Sequence, residues 1–106
     1  MLKVRVKENS SLAKIAAKKL GEKRVALVVG TTIHLWNSSK KEFLNNEKWV
    51  RHELAHVHQY KQHGIFGFLT LYLFESIKKG YYRNKFEAAA REKENDTTST
   101  EVMFIE

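Results

Sequence analysis

The chain has 106 residues, 42% of them hydrophobic and 29% charged, with no cysteine and no proline. That suffices for one domain with one modest core, and it excludes disulfides and thiolate metal sites, so a metal must be held by His, Asp or Glu. The net charge of +7 suits an acidic partner, but the lysines are scattered, with no basic run interleaved with aromatics, so a solvated basic surface is expected in preference to a nucleic-acid interface.

Leu2 to Lys7 alternates apolar and basic residues, the period of a half-buried strand. The charges at Lys3, Arg5 and Lys7 leave no apolar core for a signal peptide in residues 1–20, so a soluble, cytoplasmic protein is expected. Asn9, Ser10 or Ser11 is placed to cap a helix that Gly21 ends, with Leu12, Ile15, Ala16 and Leu20 as its inner stripe. Arg24 to Val29 is a β-branched run of strand length, and Thr32 to Trp36 alternates again after Gly30-Thr31, so the two read as a hairpin. Asn37 to Ser39 forms a loop and a cap for a short helical turn, Lys40 to Leu44.

Asn45-Asn46 leads into a helix ending near His63-Gly64, and a further helix covers about Ile65 to Lys79, stopped by Gly80. That second helix is apolar nearly all round, which suits the centre of the core or a contact with a partner such as a second copy of the chain. Its most apolar part, Ile65 to Phe74, is too short to span a bilayer. Asn84 is placed to cap a last helix, Lys85 to about Asn95. Residues 96–100 are a polar breaker, and the apolar residues after them have strand character, together a flexible tail over 96–106.

The chemistry lies in Arg51-His52-Glu53-Leu54-Ala55-His56-Val57-His58-Gln59-Tyr60, which contains the HExxH pattern. On a helix, His52 and His56 stand about 40° apart and about 6 Å apart along the axis, so both rings lean to one side and can share a Zn²⁺ ion. Glu53 sits at the edge of that face, where a carboxylate reaches a water rather than the metal. A catalytic zinc needs a third protein ligand. His63 is one residue away from the position that an HExxHxxGxxH motif requires, so a later carboxylate is expected. Glu87, 31 residues after His56, is the best placed, ahead of Glu75, Glu92 and Glu94. Glu87 also fits a capping-box variant with Asn84 or an i,i+4 pair with Arg91.

With Trp49 to Tyr60, the apolar helix after Gly64 and Tyr82-x-Asn84-x-Phe86-Glu87-x-x-Ala90 in view, the chain resembles the gluzincin metallopeptidases, in particular the minimal-scaffold minigluzincins. The resemblance implies an α+β fold for residues 1–106 as a single domain. A short, mostly antiparallel N-terminal sheet with one backing helix would precede the HExxH helix and two more helices. It assigns one Zn²⁺ to His52, His56 and Glu87, with Glu53 as the base. It also implies that the edge strand above the cleft, read as Thr32 to Trp36, binds a peptide substrate as an added strand. His34 on that strand is expected to be exposed. Lys85 stands where the family often has proline, and Arg91 where thermolysin-like members often have Asp, which leaves the group that orients His52 unassigned.

The expected function is zinc-dependent endopeptidase, with Glu53 taking a proton from the attacking water and returning it to the leaving amine. Tyr82 is adopted as donor to the developing oxyanion from a set that includes Tyr81, Tyr60 and His63. Residues 101–106 would lie along the same edge strand and keep the enzyme latent, with an ordinary sheet strand as the alternative. The competing function is a zincin-shaped binding module of basic charge, without catalysis, contacting nucleic acid or a protein.

Overall fold

The structure, a computed structural model, describes residues 2–97 and 102–105. β1 (Leu2–Lys7) is followed by α1 (Ser11–Leu20), β2 (Val25–Val29) and β3 (Thr32–Trp36). Four helices come next, α2 (Lys40–Asn45), α3 (Glu47–His63), α4 (Ile65–Lys79) and α5 (Lys85–Lys93), and then β4 (Val102–Ile105). The α+β class is as expected. Residues 98–100 of the expected breaker lie outside the described residues.

The strands form one sheet in the order β2-β3-β1-β4. Among the described residues only the β2–β3 hairpin is antiparallel; β1 runs parallel to both β3 and β4. The sheet is therefore mixed rather than mostly antiparallel. A local meander would set β2 beside β1. Here α1 carries the chain past that slot, and the hairpin returns β3 into it alongside β1, with Val6 opposite Ile33. This also corrects the edge: β3 is interior, and β2 is the edge strand at the end of the sheet opposite β4.

Alternation along the strands divides the residues between two layers. Val4, Val6, Val28, Ile33 and Leu35 face α2, α3, α4 and α5, where they meet Phe43, Leu54, Val57, Tyr60, Phe68 and Phe86. On the other face α1 lies against Val25 through Ala13 and Ala17. The expected stripe of larger residues is turned outward, with Leu12 and Ile15 more than half exposed. Ser10 fixes this rotation. Its Oγ accepts from the Ala13 N–H, as an N-cap does, and also bonds His34 Nδ1 at 2.8 Å. His34 is thus half-buried at the head of α1, where burial and then Lys7 lower its pKa, and not exposed as expected.

α4 packs on one side only, burying Phe68 and Glu75. β4 is a sheet strand with Leu2 opposite Val102 and Val4 opposite Phe104, and Val102 and Phe104 pack against the core. The described part of the tail is therefore neither free nor on the expected edge.

Candidate metal centre

α3 presents His52, Glu53 and His56 toward α5, and Glu87 meets them. Glu87 Oε1 lies 3.1 Å from His52 Nε2 and 3.2 Å from His56 Nε2. The three ligand-type atoms fall within 4.8 Å of one another. Asn84 places the carboxylate. This fully buried residue accepts the Phe86 N–H at 2.8 Å, starting α5, while its Nδ2 donates to the Tyr72 carbonyl at 3.0 Å and Ser76 Oγ at 2.9 Å. α5 is thereby tied to α4 at the turn that carries Glu87. Ala90, also fully buried, gives α5 a small contact surface one turn further on. The alternative roles of Glu87 are not taken up: Asn84 caps α5 without it, and Arg91 donates to the Tyr82 carbonyl.

The outer nitrogens of the imidazoles are also engaged. His52 Nδ1 is 2.7 Å from Glu94 Oε2, and His56 Nδ1 is 2.8 Å from Gln59 Oε1. Both partners are acceptors, which assigns the protons to Nδ1 and leaves Nε2 lone pairs facing the shared point in the neutral rings. Gln59 is held in turn by the Phe86 carbonyl at 3.1 Å, and the Glu94 carbonyl accepts from Arg51 Nε at 2.7 Å. Tyr72 OH donates to the second Glu87 oxygen at 2.5 Å. Two imidazole nitrogens and a carboxylate oxygen aimed at one point need positive charge among them, supplied either by protons on Nε2 or by a metal cation. A tetrahedral ion with ligand atoms at about 2.0–2.1 Å would set them about 3.3–3.4 Å apart. The observed 3.1 and 3.2 Å and the His₂Glu donor set therefore fit Zn²⁺.

Burial works against charge at Glu87, yet the bonds to His52 and His56 outweigh it and hold the carboxyl well below its usual range. Burial likewise opposes charge on His52, but Glu87, Glu53 and Glu94 raise its pKa to about 9. His56 is raised against its burial in the same way, chiefly by Glu87. Glu53 is 6% exposed, and burial lifts it to about 7 against the pull of His56 and His52.

The cluster opens into a cleft. An apolar part of about 220 Å³ is lined by Leu20, Val28, Leu69 and Leu73 beside His52, Glu53, His56 and Glu87. A wider polar part of about 630 Å³ carries Glu22, Arg24, Asn46 and Lys48. Val25 and Ala26 of the β2 edge line both parts, as does Tyr81.

Tyr82 does not join this cleft. It is 71% exposed, with the Arg91 guanidinium 4.0 Å above its ring. Neighbouring residues in a turn project differently, so Tyr81 faces the cleft instead. Glu75 is used elsewhere, accepting the Lys85 N–H at 3.1 Å, and Glu92 is exposed. His63 lies over Phe68, and Tyr60 is buried against the same ring. Sequence reasoning missed Tyr72 and Gln59 and gave Glu94 the wrong kind of role. Gln59, three residues after His56 on the same helical face, was legible. Tyr72 carried only the weak signal of a hydroxyl in an apolar helix that needs a partner.

A family model described as the eCIS (extracellular contractile injection system) core domain matches residues 1–64, and the chain belongs to that family. The matched segment holds β1 to α3, including His52, Glu53 and His56, and stops short of Glu87. No curated protein and no solved structure matches the chain.

Proposed function

We propose that this protein is a zinc metallopeptidase of gluzincin type, with His52, His56 and Glu87 as the metal ligands and Glu53 as the general base. The observation that carries the reading is the convergence of Glu87 Oε1 on both Nε2 atoms at 3.1 and 3.2 Å, with both Nδ1 atoms satisfied elsewhere. Bound there, Zn²⁺ supplies Lewis acidity toward a carbonyl and makes a water more acidic. Glu53, whose carboxyl burial pushes up in the metal-free chain, would take up a proton and later release it, as a base that then serves as an acid must. Tyr72 fixes Glu87 from the side opposite the imidazoles. Tyr81, whose hydroxyl burial keeps protonated, replaces Tyr82 as our candidate donor to a developing oxyanion.

The substrate in this reading is an extended peptide added to β2, with an apolar side chain in the part of the cleft lined by Leu20, Leu69 and Leu73. Membership of a family named for extracellular contractile injection systems supplies a setting, with the substrate a protein met in the working of such a system.

Metal analysis and a peptide-library digest of the wild type and Glu53→Gln test the reading together. Both proteins should hold one zinc per chain, and the variant should lose hydrolysis by about 10²–10⁴-fold. Zinc retained by a wild type that cleaves nothing would favour the binding module of basic charge. Absence of zinc from the wild type would overturn the metal centre itself.

A further inference from the structure

α4 has a second apolar face that the described residues leave uncovered. At 100° per residue, Phe66, Leu73, Phe74 and Ile77 fall within about 100° of arc, opposite the buried Phe68 and Glu75. They are 85%, 58%, 66% and 86% exposed. The one polar side chain inside this arc, Thr70, turns its hydroxyl back to the Phe66 carbonyl at 2.8 Å, so the stripe offers solvent little to bond. The only acidic residue of α4, Glu75, is buried and faces the other way with Lys79, which pairs with it at 3.8 Å, while Lys78 borders the stripe at its C-terminal end and is exposed.

We propose that this face of α4 docks the protein on an anionic lipid surface, lying in the interface plane with its aromatic and aliphatic side chains among the acyl boundaries. No helix among the described residues is long and apolar enough to cross a membrane, so the association is peripheral. Two observations favour lipid over a second copy of the chain. The net charge of +7 and Lys78 at the border of the stripe repel a like copy and attract anionic headgroups. A helix of 15 residues is about 22 Å long, so a stripe about 10 Å wide offers roughly 200–300 Å², against about 800 Å² per partner in a stable complex. Leu73 belongs both to the stripe and to the lining of the apolar cleft, so docking would set the cleft mouth beside the bilayer. The inference does not depend on the hydrolase reading, since vesicle binding is read without activity.

Flotation with phosphatidylcholine vesicles, with and without phosphatidylglycerol, tests it on the full chain. Wild type should float with the anionic vesicles only, and high salt should weaken the association. Phe74→Ser with Ile77→Ser should abolish it, and Lys78→Glu should weaken it roughly tenfold or more. Circular dichroism guards against unfolding, which is not expected of side chains already this exposed. Wild type left at the bottom with both vesicle types would overturn the proposal. So would sedimentation equilibrium showing a dimer that the Phe74/Ile77 variant breaks apart.

Discussion

A carboxylate that accepts a hydroxyl on one oxygen and faces two imidazoles with the other has almost no rotational freedom, and that is the condition of Glu87. Its replacement by alanine should abolish zinc retention, measured by metal analysis after dialysis, while the folded spectrum persists. Glu94 acts at one remove. It accepts from His52 Nδ1, which sets the ring plane and the tautomer, so Glu94→Ala should lower zinc affinity by about 10–100-fold in chelator competition. An unchanged affinity would mean that His52 is held by packing alone.

At the scale of elements, the site is a contact between α3 and α5, and what sets their register is the turn at Asn84. Alanine there removes the cap of α5 and both ties to α4, leaving the Tyr72 carbonyl in need of a partner. We expect a loss of about 1–3 kcal/mol, read as a fall in Tm of roughly 4 °C or more. Zinc affinity should fall with it, because Glu87 stands in the first turn of that helix, three residues after Asn84. The sheet contributes differently. β2 reaches the cleft because β3 was inserted between it and β1, which, among the described residues, leaves one backbone edge of β2 unpaired beside His52, Glu53 and His56.

For the molecule as a whole, the tail and the charge balance make the tests. β4 is separated from β2 by two intervening strands, so truncation before Val102 should cost packing at Val102 and Phe104, about 1–3 kcal/mol, and should not raise peptidase activity. A stable truncation with much higher activity would restore the latent reading. The pH dependence of the metal-stripped protein follows from the same cluster. His52 is raised from 6.5 to about 9, so its stabilisation is complete below 6.5 and is lost as pH rises through about 9. Glu53, an acid raised from 4.5 to about 7, costs stability over the same direction of change, beginning at 4.5. Glu87, lowered, adds stability above 4.5 that is lost as pH falls below it. Thermal melts of the chelated protein should therefore weaken from about pH 6 to pH 9 and again in strong acid.

The order of residues was enough for whatever depends on neighbours along the chain. The strand and helix bounds to within a residue or two, a cap for α1 within residues 9–11, the Asn84 cap and the one-face placement of His52, Glu53 and His56 all follow from periods of two or 3.6 residues and from hydrogen bonds spanning three residues. Glu87 was within reach because spacing leaves few carboxylates at a plausible distance. Strand order was out of reach, since the pattern of β3 is the same at an edge or between two strands. So was the choice of Tyr81 over Tyr82, which turns on a few tens of degrees in one turn. The inner face of α1 went to alanines rather than leucines because close approach to the sheet outweighed hydrophobicity. Those outcomes depend on how separate elements meet in space, and packing between distant segments leaves no local trace to read.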